Sequence, residues 1–171
     1  RNRWRCQLIP NGVTTERFRG VAADRARFGL RMDAPVAIIV SALIPSKRVA
    51  EGVRAAAMVP DLQLLVLGDG ERRDEIDALG RDLMAGRYWR TTVPYGEIPA
   101  AYASADVLLH MSKDESFGNV YIEALASGLP VVAHRVDRHL PLAAPVALGD
   151  VDHLPRRARA RVRPLDGDGV Q

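Results

Sequence analysis

The chain of 171 residues is 47% hydrophobic and carries a formal net charge of +3, a length that supports one globular domain with a buried core and leaves little room for two. The positive charge lies at the two ends, because Arg1, Arg3 and Arg5 open the chain and positions 135–171 hold seven Arg against five Asp. The stretch between is net acidic, which disfavours a nucleic-acid partner for the folded core.

Other protein classes are disfavoured by simple absences from the sequence. A single cysteine, Cys6, excludes an internal disulfide framework and fits a reducing compartment, so a cytoplasmic location is expected. Apolar runs such as Val36 to Val40 are too short to span a bilayer. Because the chain begins with Arg and moves directly into strand-like sequence, we expect that an upstream segment of a longer protein is missing.

The first half of the chain alternates between buried-strand and helix patterns. An apolar, β-branched run from Pro35 to Leu43 predicts a buried strand ending near Ala42. The next strand is predicted from Leu62 to Leu67 and is stopped by Gly68-Asp69-Gly70. Helical spacing predicts one helix after each strand, marked by Val49, Val53, Ala56 and Ala57 and then by Ile76, Leu79 and Leu83.

The alternation continues in the second half. Strands are predicted at Tyr88 to Val93, Val107 to Met111 and Val131 to Ala133, with a short helix at Ile98 to Ala103. Ser116 is the candidate cap of a further helix that runs to about Ser127 and stops at Gly128. The fold class is therefore α/β, a Rossmann-like parallel sheet with helices on both faces.

The composition changes from about Arg135. Proline recurs and Arg-Ala alternation fills Arg156 to Arg163. We divide the chain into a Rossmann-like domain, residues 1–134, and an Arg/Pro/Ala-rich tail, residues 135–171. The tail has two open interpretations, a disordered extension or a natural sequence interrupted by a shifted reading frame.

Polar residues at the predicted strand ends mark the candidate site, because parallel sheets bind ligands outside the carboxyl ends of their strands. Three segments are expected to line one cleft: Ser41 to Arg48, Gly68 to Glu71 and Ser112 to Glu123. In the last, free N–H groups at the helix start and the small Gly118 suit a phosphate. Glu115 and Glu123 suit sugar hydroxyls, although spacing alone favours a role in complementing the helix N-terminus or facing water.

Several motifs in a fixed order then give a specific resemblance over residues 8–134. They are Ile9-Pro10-Asn11-Gly12-Val13 with Arg17-Phe18, Lys47, Gly68-Asp69-Gly70, Tyr102-Ala103-Ser104-Ala105-Asp106, and Glu115-Ser116-Phe117-Gly118 followed by Glu123 to Ala133. The chain resembles the C-terminal, donor-binding domain of retaining glycosyltransferases with two facing Rossmann-like domains, known as glycosyl transferases group 1 or family 4, with the GT-B fold. The ordered set of motifs favours a ligand-binding role for Glu115 and Glu123 over a role in complementing the helix N-terminus or facing water.

The resemblance implies a role for each matching residue. Glu115 is the implied catalytic residue, which contacts the donor sugar and supports charge at the reacting carbon, and Glu123 binds the ribose hydroxyls. Lys47 neutralises the departing diphosphate, so that no metal and no cofactor are required. The remaining donor-binding positions hold the sugar and the diphosphate: Ser116, Phe117, Gly118, Asn119 and Val120.

The implied reaction is transfer of a hexose from a UDP- or GDP-hexose to a glycan or lipid hydroxyl, with retention at the anomeric carbon. The acceptor site is expected in a missing N-terminal domain, so this fragment by itself is expected to be inactive. Peripheral membrane contact of the full-length protein is left open. Two alternatives remain: a non-catalytic nucleotide-sugar-binding module, and a GT-B-related sugar-nucleotide epimerase.

The sequence departs from the family pattern after the first strand. The common Gly-Arg-Leu is replaced by Ser41-Ala42-Leu43, so the second cation for the diphosphate is missing. Arg48 replaces it only if its side chain turns inward, and a solvent-exposed side chain is an equal alternative. Nearby candidates are interpreted structurally: His110 and His134 as hydrogen-bonded histidines, and Trp89 as a core or interface residue.

Overall fold

A computed structural model describes residues 12–113 and 117–133, which form a five-stranded parallel sheet in the order β3-β2-β1-β4-β5. The strands are β1 Val36–Val40, β2 Gln63–Leu67, β3 Tyr88–Thr91, β4 Val107–His110 and β5 Val131–Ala133. The helices are α1 Val49–Ala57, α2 Arg73–Leu83, α3 Ile98–Ala103 and α4 Asn119–Ala126. The predicted Rossmann-like α/β fold is confirmed.

Helix boundaries follow the sequence patterns closely, with one correction. The helix for which Ser116 was the predicted cap begins at Asn119, and its N-cap is Gly118. Gly118 has φ of 80°, in the left-handed region that a residue without Cβ adopts at little cost. Ser116 itself, like Asp114 and Glu115, lies outside the described residues.

Both faces of β1 and β2 are buried, as their continuous apolar runs predict. Ile39 of β1 and Val66 of β2 belong to a cluster that includes Val53 of α1 and Ile76 of α2. Successive strand residues point to opposite faces, and Ile38 and its neighbours on the other face are equally buried. Two-sided burial explains why these strands lack polar alternation.

The amino ends of the strands are closed by a polar network. The Arg25 side chain pairs with Asp106, with Nη2 and Oδ2 2.6 Å apart, and its Nε donates to the Ser104 carbonyl at 3.0 Å. Asp106 also accepts from the Val36 amide at 2.8 Å, at the start of β1. The wholly buried Gln63 accepts from the Arg31 amide at 2.7 Å. The segment before β1 is thereby fixed to the sheet.

The strand order places the candidate site. β1 pairs with β2 on one side and with β4 on the other, so the chain adds β2 and β3 on one side of β1 and then crosses to add β4 and β5 on the other. In open parallel sheets such a reversal creates a crevice at the carboxyl ends of the two strands beside it, here β1 and β4. Here those ends are followed by Ser41 and Met111.

Candidate functional site

The loops that follow β1, β2 and β4 are in direct contact at the carboxyl edge of the sheet. The Leu43 amide donates to the Asp69 carbonyl at 2.9 Å, which joins the loop after β1 to the loop after β2. The Lys113 amide donates to the Ser46 carbonyl at 3.3 Å, which joins the loop after β4 to the loop after β1. The structure thus brings the three predicted segments together where they are described.

The Gly68-Asp69-Gly70 segment is the turn from β2 towards α2, as its interpretation as a strand-to-helix turn predicted. A Cβ atom on Gly68 would lie 1.8 Å from the Ser41 carbonyl oxygen, and one on Gly70 would lie 2.6 Å from that of Leu43. Both distances are far below van der Waals contact. The two loops approach this closely only because these positions are glycine.

Lys47 and Arg48 are adjacent but differ in backbone conformation. Lys47 ends a short 3-10 helix, Pro45–Lys47, and is half-buried at the carboxyl edge. Arg48 follows in the left-handed conformation, with φ of 50°, and its Nε lies 3.3 Å from the Glu51 carboxylate of α1. Arg48 is thus partly buried and paired with Glu51, which differs from both alternatives that its sequence left open. Ala42, at the position of the family arginine, is exposed.

The start of α4 faces the same edge because this helix follows β4. Gly118 is buried, Phe117 and Val120 are half-buried, and Asn119 is exposed. N–H groups at a helix start generally lack an acceptor four residues earlier and carry partial positive charge, and in α4 the Tyr121 N–H donates to the Gly118 carbonyl at 2.9 Å. This geometry is suited to an anionic ligand at the position that the sequence predicted.

Glu123 lies in the second turn of α4 and is only 8% exposed. Its Oε2 accepts a hydrogen bond from the hydroxyl of Tyr102, on α3, at 3.0 Å. Glu123 is therefore a buried, hydrogen-bonded carboxylate, which rules out the alternative of a glutamate facing water. Burial, reinforced by the charge of Glu123, raises the pKa of Tyr102 above its ordinary value, so the hydroxyl stays protonated and donates.

Sequence reasoning named Tyr102 only as part of a motif and missed its contact with Glu123. The ring is wholly buried and meets Phe18 edge-to-face, with centroids 5.8 Å apart. Phe18 belongs to the segment before β1, another motif of the resemblance. The available signal was a tyrosine in an otherwise apolar helix. A buried hydroxyl usually has a hydrogen-bond partner, so such a tyrosine predicts a polar contact.

Two other candidates have plain structural surroundings. His110 is 2% exposed at the end of β4, with its ring edge-on to Tyr121 at 5.0 Å. Trp89 is half-buried in β3, and a Cβ on Gly29 would lie 3.0 Å from its indole nitrogen. The predictions on Cys6, Glu115, Ser116, His134 and the tail at residues 135–171 fall outside the described residues.

The doubly wound sheet and its crowded carboxyl edge define a Rossmann-like α/β domain. Residues 21–141 match the family described as Glycosyl transferases group 1. The chain belongs to this family, which confirms the resemblance found in the sequence.

Curated relatives and solved structures agree with this assignment. The chain is 35% identical to the lipopolysaccharide core biosynthesis glycosyltransferase LpsE of Rhizobium meliloti (strain 1021), over 75% of this chain and 37% of that protein. It is 33% identical to a GDP-mannose-dependent alpha-(1-6)-phosphatidylinositol monomannoside mannosyltransferase of Mycolicibacterium smegmatis, over 89% and 48%. The sucrose-phosphate synthase of Thermosynechococcus elongatus superposes with a TM-score of 0.66 at 34% identity, over 76% of this chain and 35% of that chain.

A second solved structure contains UDP-glucose. Anabaena Alr3699/HepE in complex with UDP-glucose superposes with a TM-score of 0.65 at 26% identity, over 76% of this chain and 38% of that chain. The present chain spans less than half the length of each of these four proteins. Within residues 12–113 and 117–133, every helix is too short or too polar to cross a membrane.

Proposed function

We propose that this chain is the donor-binding half of a retaining glycosyltransferase, which transfers a hexose from a nucleoside diphosphate sugar to a hydroxyl of a glycan or lipid. The observation that carries the proposal is the junction of the Lys47 loop with the loop leading into α4, made by the hydrogen bond from Lys113 to Ser46. It joins the loop that carries the Lys47 cation to the segment that leads into α4, the helix that carries the buried Glu123. Diphosphate and ribose require such groups.

Each part of the donor is assigned its own residues at this edge. Lys47 and the N–H groups at the start of α4 stabilise the charge that develops on the departing diphosphate. Glu123 accepts hydrogen bonds from the ribose hydroxyls. Glu115, two residues after Lys113 in the sequence, contacts the sugar and supports positive charge at the reacting carbon. None of these roles uses a metal or a cofactor.

The donor base is proposed as uracil or guanine. UDP-glucose is the ligand named for the Anabaena structure, and GDP-mannose is the donor named for the mycobacterial relative. The acceptor site and any acceptor-side catalytic group are assigned to a second domain outside this chain. We therefore expect the isolated chain to bind the donor without transferring its sugar. The protein is proposed to act in the cytoplasm and to have no nucleic-acid partner.

Calorimetric titration with UDP, GDP and their hexose conjugates tests this proposal. Saturable binding to one nucleotide series is expected, and Glu123→Ala should weaken it by more than tenfold, because a charged hydrogen-bonding partner of the ribose is removed. Asp82→Ala removes an exposed carboxylate from α2 and should leave binding unchanged. A folded chain that binds none of these compounds would contradict the donor-site assignment.

Turnover separates the enzyme from the alternative of a non-catalytic binding module, which the exposed Ala42 in place of the family arginine favours. The full-length protein should hydrolyse or transfer sugar from the donor that this chain binds, and the anomeric configuration of the product should be retained. Donor binding without turnover in the full-length protein would support the non-catalytic alternative instead. An inverted product would contradict retention.

A further inference from the structure

The Tyr102 hydroxyl joins two helices through a buried hydrogen bond to Glu123, with a longer contact of 3.5 Å to the Val120 carbonyl. Tyr102 lies on α3 and Glu123 on α4, and the hydroxyl oxygen is 3.0 Å from Oε2 of the carboxylate. Tyr102 is 0% exposed and Glu123 is 8% exposed. Burial of an ionisable glutamate is costly unless a donor meets it, so the hydroxyl compensates part of that cost.

The tyrosine is held more firmly than the glutamate it contacts. Its ring packs edge-to-face on Phe18, which is 2% exposed. A glutamate has three side-chain torsions and loses considerable freedom when it is fixed. A rigid donor that engages one carboxylate oxygen therefore orders the whole side chain before any ligand arrives, and prior ordering favours binding.

We propose that Tyr102 is a positioning residue for donor recognition, whose hydroxyl holds Oε2 of Glu123 and directs Oε1 to the ribose hydroxyls of the nucleotide. This inference rests on the ribose role proposed for Glu123. It assigns selectivity for ribonucleotides to a pair of residues, although only the glutamate touches the ligand. Phe18 extends the same chain of contacts to the segment before β1.

A purely structural role for Tyr102 makes a different prediction, and the chain offers a matched control. The Tyr88 hydroxyl donates to the Asp77 carboxylate at 2.8 Å, between β3 and α2. Tyr88→Phe and Tyr102→Phe therefore remove the same kind of hydrogen bond, and both leave the ring in place. Only the pair of Tyr102 and Glu123 includes the residue proposed to bind the ribose.

The experiment measures binding of a nucleoside diphosphate and of its 2′,3′-dideoxy form to the 171-residue chain. Wild type should prefer the ribonucleotide. Tyr102→Phe should weaken ribonucleotide binding by roughly tenfold, the size expected for a hydrogen bond to a charged group, and leave dideoxy binding unchanged. Tyr88→Phe should keep the wild-type preference, and Tyr102→Phe should add nothing in a chain that already carries Glu123→Ala.

Each other outcome identifies what is wrong. If Glu123→Ala removes the preference and Tyr102→Phe keeps it, the positioning role is wrong and the proposed function stands. If Tyr102→Phe weakens both nucleotides equally, in a sample shown by circular dichroism to be folded, the residue is only structural and the inference is overturned. If wild type has no preference, or Glu123→Ala leaves it intact, the ribose role of Glu123 is wrong and the inference fails with it.

Discussion

The two edges of the sheet use polar residues in different ways. At the amino edge, Arg25, Asp106 and Gln63 bond to other groups of the chain and tie the segment before β1 to the strands. At the carboxyl edge, polar and small residues lie in loops and at the start of α4, and several are exposed, including Asp69, Lys113 and Asn119. The amino edge holds the domain together, and the carboxyl edge carries the exposed groups of the proposed donor site.

This contrast separates two interpretations that a sequence motif cannot separate. Asp106 and Glu123 both belong to motifs of the resemblance, and both are acidic. The structure places Asp106 in an ion pair with Arg25 at the amino edge, whereas Glu123 lies on the helix whose start faces the carboxyl edge. A variant at the amino edge should therefore change stability alone, and a variant at the carboxyl edge should change binding.

The largest expected effect comes from Gly68→Ala, a variant at the carboxyl edge that should change stability as well as binding. Gly68→Ala would place a Cβ atom 1.8 Å from the Ser41 carbonyl oxygen, a backbone atom that moves only with its loop. We expect a loss of about 3 kcal/mol in the free energy of unfolding, measured by urea denaturation. Calorimetry should also show lost nucleotide binding, because the loops that carry Ser41 and Asp69 are pushed apart.

Gly96→Ala is the control, since its added Cβ would meet open space. Unchanged binding in a destabilised Gly68→Ala would show that loop contact is unnecessary for the site.

Asp106→Ala should affect stability and leave the site intact. The substitution leaves the Arg25 guanidinium and the Val36 amide without this acceptor. Loss of one partner from a partly buried pair is expected to cost about 2–3 kcal/mol. Nucleotide affinity, measured at a temperature where the variant is folded, should equal that of wild type. A large fall in affinity would mean that the two edges are coupled.

The sequence predicted the fold well because the signals were local and repeated. Within the described residues, five strands and four α-helices follow from apolar runs and helical spacing, and the helix Ile98–Ala103 and the strand Val131–Ala133 have the predicted bounds. The first strand is shorter than its apolar run, which continues to Leu43. Leu43 is wholly buried, but in a loop that packs on the core. An apolar pattern reports burial and does not distinguish a strand from a packed loop.

The site was less predictable because it depends on tertiary contacts. Tyr102 and Glu123 are separated by 21 positions and lie on different helices, so no local spacing reveals their hydrogen bond. Arg48 is similar, since its left-handed backbone directs its side chain to Glu51. The start of α4 was misplaced because serine is a favoured N-cap, whereas the left-handed turn at this helix start is made by Gly118.

Ala42→Arg sharpens the contrast in the opposite direction, by adding a group to the carboxyl edge. Ala42 is exposed in the loop after β1 and occupies the position of the missing family arginine. A second cation near the diphosphate should raise nucleotide affinity about tenfold at low salt, as a charge-assisted hydrogen bond does. Stability should be unchanged because no buried group is altered. The gain should shrink as salt is added, and Met58→Arg, which adds the same charge at an exposed position after α1, should give none.

The smallest expected effect concerns alkaline pH and the Tyr88 pair, which lies apart from the site. Burial, followed by the hydrogen bond to Asp77, raises the pKa of Tyr88 above its ordinary value. Below about pH 10, the usual tyrosine pKa, the hydroxyl is protonated in both states and its stabilising contribution is complete. Above that pH the unfolded chain loses the proton first, so stability falls as pH rises towards the higher pKa of the folded protein.

Tyr88→Phe should remove this contribution to the pH dependence. Between pH 10 and 11, wild type should lose about 1 kcal/mol more unfolding free energy than the variant does, measured by urea denaturation at each pH. Nucleotide affinity at neutral pH should be the same for both proteins, because Asp77 and Tyr88 belong to the contact between α2 and β3. Equal alkaline slopes would show that the Tyr88 hydroxyl titrates alike in the folded and unfolded chain, and that the Asp77 contact does not stabilise its protonated form.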